Sequence, residues 1–281
     1  DTWSVVEFQN PLDKQVSDKM KLFPPLGEEL DGKWQLKLAN EFHMTADAKL
    51  FGTDGPGKII LYEGKMIWHF NHQYAEGRYF VDEKVGRKAI LGRAKEEDQI
   101  LDYQRYRFAH RSITGNTNER TMVCTVLPKN VFYGHSLNAS RREGFSMTES
   151  ELLFVTSVMS SYTVDFALRQ RVATQLTMFF VYQIPVPRLS KADPQFAPIV
   201  RRAARLICTT DEYADLWNEV DAEIGLDPGT YLPKPGACPW SKSVGSTEPH
   251  IRSGLRAELD ALIAHLYGLT EEEFRHILST F

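Results

Sequence analysis

Residues Arg105–Pro128 read RYRFAHRSITGNTNERTMVCTVLP. Two runs rich in aromatic and β-branched residues, Tyr103–Ala109 and Thr121–Leu127, bracket a polar turn, so the stretch predicts a pair of strands. Asn116-Thr117-Asn118-Glu119-Arg120-Thr121 supplies the short polar side chains that stabilise tight turns through local hydrogen bonds. Arg105, Arg107, Arg111 and Arg120 add guanidinium forks, and Asn116 and Asn118 can both donate and accept. Those chemical types grip phosphates and read base edges. An ordinary solvated turn contains the same types, so the surroundings must decide.

Working outward, Lys58–Glu63 reads as a strand leaving the glycine-rich loop Gly52–Gly57. Met66–Phe70 reads as a second strand, joined to it through Gly64-Lys65 as a hairpin. The pattern changes at Thr148. Thr148 and Glu151 form a capping box, each side chain satisfying an amide at a helix start. Leu152, Val155, Val158, Met159, Tyr162 and Phe166 keep helical spacing and predict one helix ending near Arg169-Gln170-Arg171. Leu176–Tyr182 is an apolar extended piece, stopped by Pro185 and Pro187. Helices follow at Ile199–Ile207 and from Thr210, then a Pro/Gly-rich connector, Asp227–Trp240. A last long helix carries Leu255, Leu259, Leu262 and Leu266 on one face, and Thr270 with Glu273 caps a short terminal one. The expectation is an α+β fold, with a β-rich central recognition region and helices on the C-terminal side. Residues 1–50 lead in from an upstream domain, 51–190 form the core, and 191–281 form a helical subdomain.

The chain has 281 residues, enough to bury a sizeable core. No apolar run approaches the roughly 18 residues of a membrane span. Three cysteines, Cys124, Cys208 and Cys238, are odd in number and far apart, which points to a reducing, cytoplasmic setting. The sequence opens at Asp1 and runs directly into Trp3–Phe8, as expected for a piece of a longer polypeptide. The net charge of -4 is unevenly spread: residues 58–142 hold 15 Lys+Arg against 9 Asp+Glu, and the remainder holds 18 against 28. A cationic centre in an acidic chain suits an anionic partner.

Several motifs invite chemistry. Gly52-x4-Gly57-Lys58 imitates a phosphate-binding loop, but Ile59 replaces the magnesium-coordinating hydroxyl and a strand follows instead of a helix. Asp54, Glu63 and Lys65 imitate a magnesium-dependent nuclease site, an alternative reading of this region. His69 and His72 lack further ligands at zinc spacing and read as a polar turn. Asn10-Pro11-Leu12 lacks the second proline and the aromatic of amino-methylating DNA enzymes, and no early glycine-rich loop could hold S-adenosylmethionine. A third alternative is a protein-interaction module presenting Leu176–Tyr182, without any DNA role.

Taken in order, several segments resemble the C-terminal region of type IIG/IIL fused restriction–modification proteins and related adenine-specific DNA methyltransferases. They are Leu61–Ile67, Asn116–Pro128, Asp165–Val172, Gln183–Pro187 and Arg256–Thr270, spread over roughly residues 40–281. What the resemblance implies is a target-recognition region that binds double-stranded DNA. Methyl transfer from S-adenosylmethionine would fall to an upstream domain of the same chain, with magnesium if that protein also cleaves DNA. No cofactor is expected in this segment itself. The candidate DNA-contacting residues are Lys65, Arg78, Arg107, Arg111, Asn116, Asn118, Arg120, Arg169 and Arg171. For Arg169 and Arg171, capping of helix carbonyls is the competing role.

Overall fold

The computed structural model describes residues 10–115, 118–142, 144, 147–171, 174–227 and 236–281. Seven short strands occur among them: β1 (Leu38–Ala39), β2 (Ile59–Tyr62), β3 (Tyr79–Val81), β4 (Arg107–Arg111), β5 (Cys124–Leu127), β6 (Phe132–Tyr133) and β7 (Leu137–Ser140). The helices are α1 (Pro11–Met20), α2 (Glu83–Leu91), α3 (Glu149–Met159), α4 (Tyr162–Arg169), α5 (Met178–Tyr182), α6 (Phe196–Ile207), α7 (Ala214–Ile224), α8 (Pro249–Leu266) and α9 (Glu271–Ser279). The class is mixed α+β.

β4 and β5 form the expected antiparallel pair, with Phe108 opposite Val126 and His110 opposite Cys124. They belong to a four-stranded sheet ordered β1-β7-β4-β5, beside a three-stranded sheet ordered β3-β2-β6. Side chains alternate across a strand, and here the alternation sorts residues into separate cores. Phe108, Cys124 and Val126 join the large core made with α3, α6, α7 and α8. Ala109 and Leu127 point the other way, into a small core with Tyr62, Met66 and Ile67 beneath the second sheet. Leu61 and Phe132 face a third cluster, against which Ile90 and Leu91 of α2 pack. The four-stranded sheet therefore has apolar cover on both faces. That explains why β5 is buried along its whole length and shows no polar alternation.

α3 is buried on nearly every side. Its polar residues are satisfied internally: the Thr156 and Ser157 hydroxyls donate to the carbonyls of Leu152 (2.7 Å) and Leu153 (2.9 Å), one turn back. The large core also draws in Val16, Leu26 and Trp34 from the N-terminal residues and Leu255, Leu259 and Ile277 from the last two helices.

Three local expectations are corrected. Met66–Phe70 is not a strand; Gly64–Met66 turns as a short 3-10 helix, and β2 pairs instead with β3 and, in parallel, with β6. The helix after Thr148 stops at Ser160, and Ser161 caps a new one, its hydroxyl oxygen accepting from the Val164 amide (3.3 Å). Leu176–Tyr182 is not extended: α5 occupies Met178–Tyr182. Both capping boxes form, with the Glu151 amide donating to Thr148 and the Glu273 amide donating to Thr270, each at 3.2 Å. Among the described residues no helix is long and apolar enough to cross a membrane.

Candidate nucleic-acid interface

The turn after β4 is held from below. Thr114 donates its hydroxyl hydrogen to the Thr121 carbonyl (2.7 Å), closing the loop across its base. Asp165, on α4, accepts from the amides of Thr121 (2.9 Å) and Met122 (2.6 Å). Asp165 is 1% exposed, and burial raises its pKa against those two hydrogen bonds. Asn116 lies outside the described residues. Asn118 is exposed and donates weakly to the Thr114 hydroxyl (3.3 Å). Arg169 donates to the carbonyls of Asn118 (2.8 Å) and Glu119 (3.0 Å) and covers the ring of Phe281. It caps a turn of the neighbouring strand pair, not its own helix end.

Arg107 and Arg120 are interior residues. Arg107 is 1% exposed, pairs with Glu41 (3.1 Å), and donates to the Val131 carbonyl. Arg120 pairs with Asp260 on α8 (3.0 Å), donates to the Ser160 carbonyl (2.8 Å) and stacks on Tyr162. Neither guanidinium is placed to meet a ligand from solvent. Arg171 is half-buried beside an apolar cleft that Phe166, Leu168, Phe180 and Ile184 line, and burial lowers its pKa.

The remaining three candidates converge. Lys65 and Arg78 are both exposed and both reach Glu63, at 3.7 Å and 2.8 Å. Arg78 grips both Glu63 oxygens, a bidentate pair. Arg111 leaves the end of β4 and donates to the Ile67 carbonyl (2.6 Å), in the same short segment. Its guanidinium lies 5.0 Å from the Trp68 ring centre, and Trp68 in turn stacks on Tyr74, with centroids 5.1 Å apart and planes 21° apart. Burial lowers the Arg111 pKa, but a guanidinium stays charged through the physiological range. Three cations (Lys65, Arg78 and Arg111), one carboxylate (Glu63) and the stacked Trp68 and Tyr74 rings thus gather around residues 63–68.

A groove of about 750 Å³ opens beside this cluster. Ile60, Met66 and Gly77 give it apolar walls, and Tyr74, Gln73, Glu76, Lys129 and Glu212 line it with polar or aromatic groups. Sequence reading missed Trp68, Tyr74 and Glu212 as site residues. Trp68 lies in the apolar run that predicts a strand, and nothing local to Tyr74 shows that its ring is half exposed and stacked on Trp68.

The nuclease arrangement does not assemble. Glu63 has both oxygens held by Arg78, and among the described residues no three His, Cys, Asp or Glu side chains converge as metal ligands. The Gly52–Gly57 loop leads toward β2, with no helix N-terminus behind it to hold phosphate. Along Leu176–Tyr182, Leu176 and Val181 are buried and Phe179 is the one strongly exposed apolar residue, a small apolar surface for a partner protein.

Comparison with solved structures finds likeness to the type IIL restriction-modification enzyme MmeI, solved in complex with DNA. The TM-score is 0.46 at 11% identity, covering 91% of this chain and 36% of that one. The type IIG restriction endonuclease BpuSI is similar at a TM-score of 0.43 and 12% identity, covering 92% and 34%. The chain thus spans about a third of the length of each. No protein-family model and no curated protein matches the chain.

Proposed function

We propose that this chain is the sequence-specific duplex-DNA recognition region of a DNA methyltransferase or restriction–modification enzyme. It positions DNA for a catalytic domain that lies outside it. The observation that carries this reading is the grouping of Lys65, Arg78 and Arg111 around residues 63–68, with Lys65 and Arg78 exposed. One carboxylate, Glu63, sits among three cations, which leaves a positive surface suited to phosphate. The order of segments resembling type IIG/IIL proteins supports the same conclusion independently of the geometry. Methyl transfer to adenine N6 from S-adenosylmethionine belongs, in this reading, to the catalytic domain. The glycine-rich loop Gly52–Gly57 precedes a strand and does not suit that cofactor.

Salt dependence tests the proposal. Fluorescence anisotropy with a labelled duplex should show affinity falling steeply between 50 and 200 mM salt, as counterions are released from neutralised phosphates, by about 10³-fold or more for six or more contacts. Lys65→Ala should weaken binding across all sequences and make the slope shallower by about 1. Absence of salt-sensitive DNA binding, in this chain and in the full-length protein, would sink the reading.

A further inference from the structure

The aromatic pair beside the cation cluster suggests what enters the groove. Tyr74 is 55% exposed. It is nonetheless fixed. Its amide donates to the Met66 carbonyl (2.9 Å), and Trp68 and Asn71 exchange backbone hydrogen bonds at 2.8 and 3.0 Å. The preceding residue is tied by its own amide to the Asn71 side chain (2.8 Å). One face of the Tyr74 ring is covered by Trp68, and the Arg111 guanidinium lies beside both rings, 5.0 Å from the Trp68 centre and 6.0 Å from that of Tyr74. A ring braced by these neighbours and still more than half exposed is a preorganised stacking surface.

The groove walls define the edge chemistry of the occupant. Glu76 and Glu212 repel phosphate but accept hydrogen bonds, and burial opposed by hydrogen bonding and His72 leaves the Glu212 carboxyl below its ordinary pKa. His72 lines the same groove, is 3% exposed, and its Nε2 has no partner among the described residues. Burial holds its pKa down at about 4, so the ring is neutral. Gln73 adds an amide, although it also leans toward Glu212 at 3.4 Å. The Glu76 and Glu212 carboxylates and the Gln73 amide match a planar heterocycle with amine donors at its edge.

We infer that the groove beside Tyr74 receives a nucleobase bearing an exocyclic amine, lifted out of the helical stack and laid against the Tyr74 ring. This rests on the DNA reading of the Lys65–Arg78–Arg111 cluster, whose cations would hold the flanking phosphates at the rim. Extrusion costs least where a base is already unpaired. The groove therefore favours DNA with a bulged or mispaired base over perfect duplex.

The test uses this chain with a duplex carrying one unpaired 2-aminopurine, the same duplex with one unpaired adenine, the fully paired duplex, and adenosine alone. The bulged duplex should bind more tightly than the paired one, and 2-aminopurine fluorescence should fall on stacking. Tyr74→Ala and Tyr74→Leu should reduce the preference for the bulged duplex by roughly 5- to 150-fold, the range for one stacked base, and Tyr74→Phe should retain it. Equal affinity for bulged and paired duplexes, or a preference that survives Tyr74→Leu, overturns the inference while salt-sensitive duplex binding stands. Adenosine bound as tightly as bulged DNA reassigns the groove to a free nucleoside. Loss of binding to every DNA sinks both readings together.

Discussion

An arginine's chemistry is written in the sequence, but its address depends on partners far along the chain. Arg107 meets Glu41, 66 residues earlier, and Arg120 meets Asp260, 140 residues later. Neither carboxylate shares a local motif with its arginine, so both guanidiniums read as DNA contacts until the fold buries them. Lys65 and Arg78 reach a nearer carboxylate, Glu63, two and 15 residues away, and both stay exposed. Buried ion pairs contribute little net stability, yet removing one member leaves the other uncompensated. Arg120→Met should therefore cost about 3–5 kcal/mol in urea unfolding, because Asp260 would keep only the Tyr162 amide (2.8 Å) as donor. Adding Asp260→Leu to that variant should recover part of the loss. A cost below about 1 kcal/mol for Arg120→Met would show that the pair does not matter to the fold.

Elements whose signals are local were legible. Both capping boxes involve residues three apart, and both form as read. The β4–β5 pair follows from two β-prone runs around one turn, and its location was read within a few residues. Met66–Phe70 failed because its apolar run has another cause. Met66 and Ile67 fill the small core under the three-stranded sheet, while Phe70 turns back with a positive φ of 55° and joins the large core. A chain passing between two cores looks apolar on both sides without pairing as a strand. The α3–α4 break was hidden for a related reason. Tyr162 and Phe166 continue the apolar spacing, but Asp260 from α8 takes the Tyr162 amide and supports a second helix start. Thr148→Ala removes one such local signal. It should destabilise the protein by about 1 kcal/mol in thermal or urea unfolding, and Thr148→Ser should restore most of that. An unchanged midpoint in Thr148→Ala would mean that packing alone sets the start of α3.

Across the whole molecule, the fold redistributes the charge that the sequence kept apart. Arg107, Arg120 and Arg142 of the cationic centre bury against Glu41, Asp260 and Glu149, and Lys129 pairs with Asp215; all four carboxylates come from the acidic remainder of the chain. The central surplus is therefore smaller at the surface than along the sequence, and the 63–68 cluster becomes its main exposed expression near the groove. The same burial sets the response to acid. His110 sits on β4 at 0% exposure, with Nδ1 bonded to the Arg111 carbonyl (2.9 Å), and burial pushes its pKa down to about 4. An unfolded histidine titrates near 6.5. A folded pKa below the unfolded one means the unfolded state binds more protons, so stability is full above pH 6.5 and is lost as pH falls toward 4. Glu41 acts in the opposite sense: burial raises it to about 7, which favours the folded state toward lower pH. Comparison of the wild type with His110→Asn cancels Glu41 and the other buried groups. The stability advantage of the wild type over His110→Asn should shrink by about 2 kcal/mol between pH 7 and pH 5 in urea unfolding, since each pH unit below 6.5 is worth about 1.4 kcal/mol. An advantage that stays constant over that interval would mean the His110 ring is reached by water or a proton in the folded protein, and that both faces of β4 are less sealed than the packing of the two cores requires.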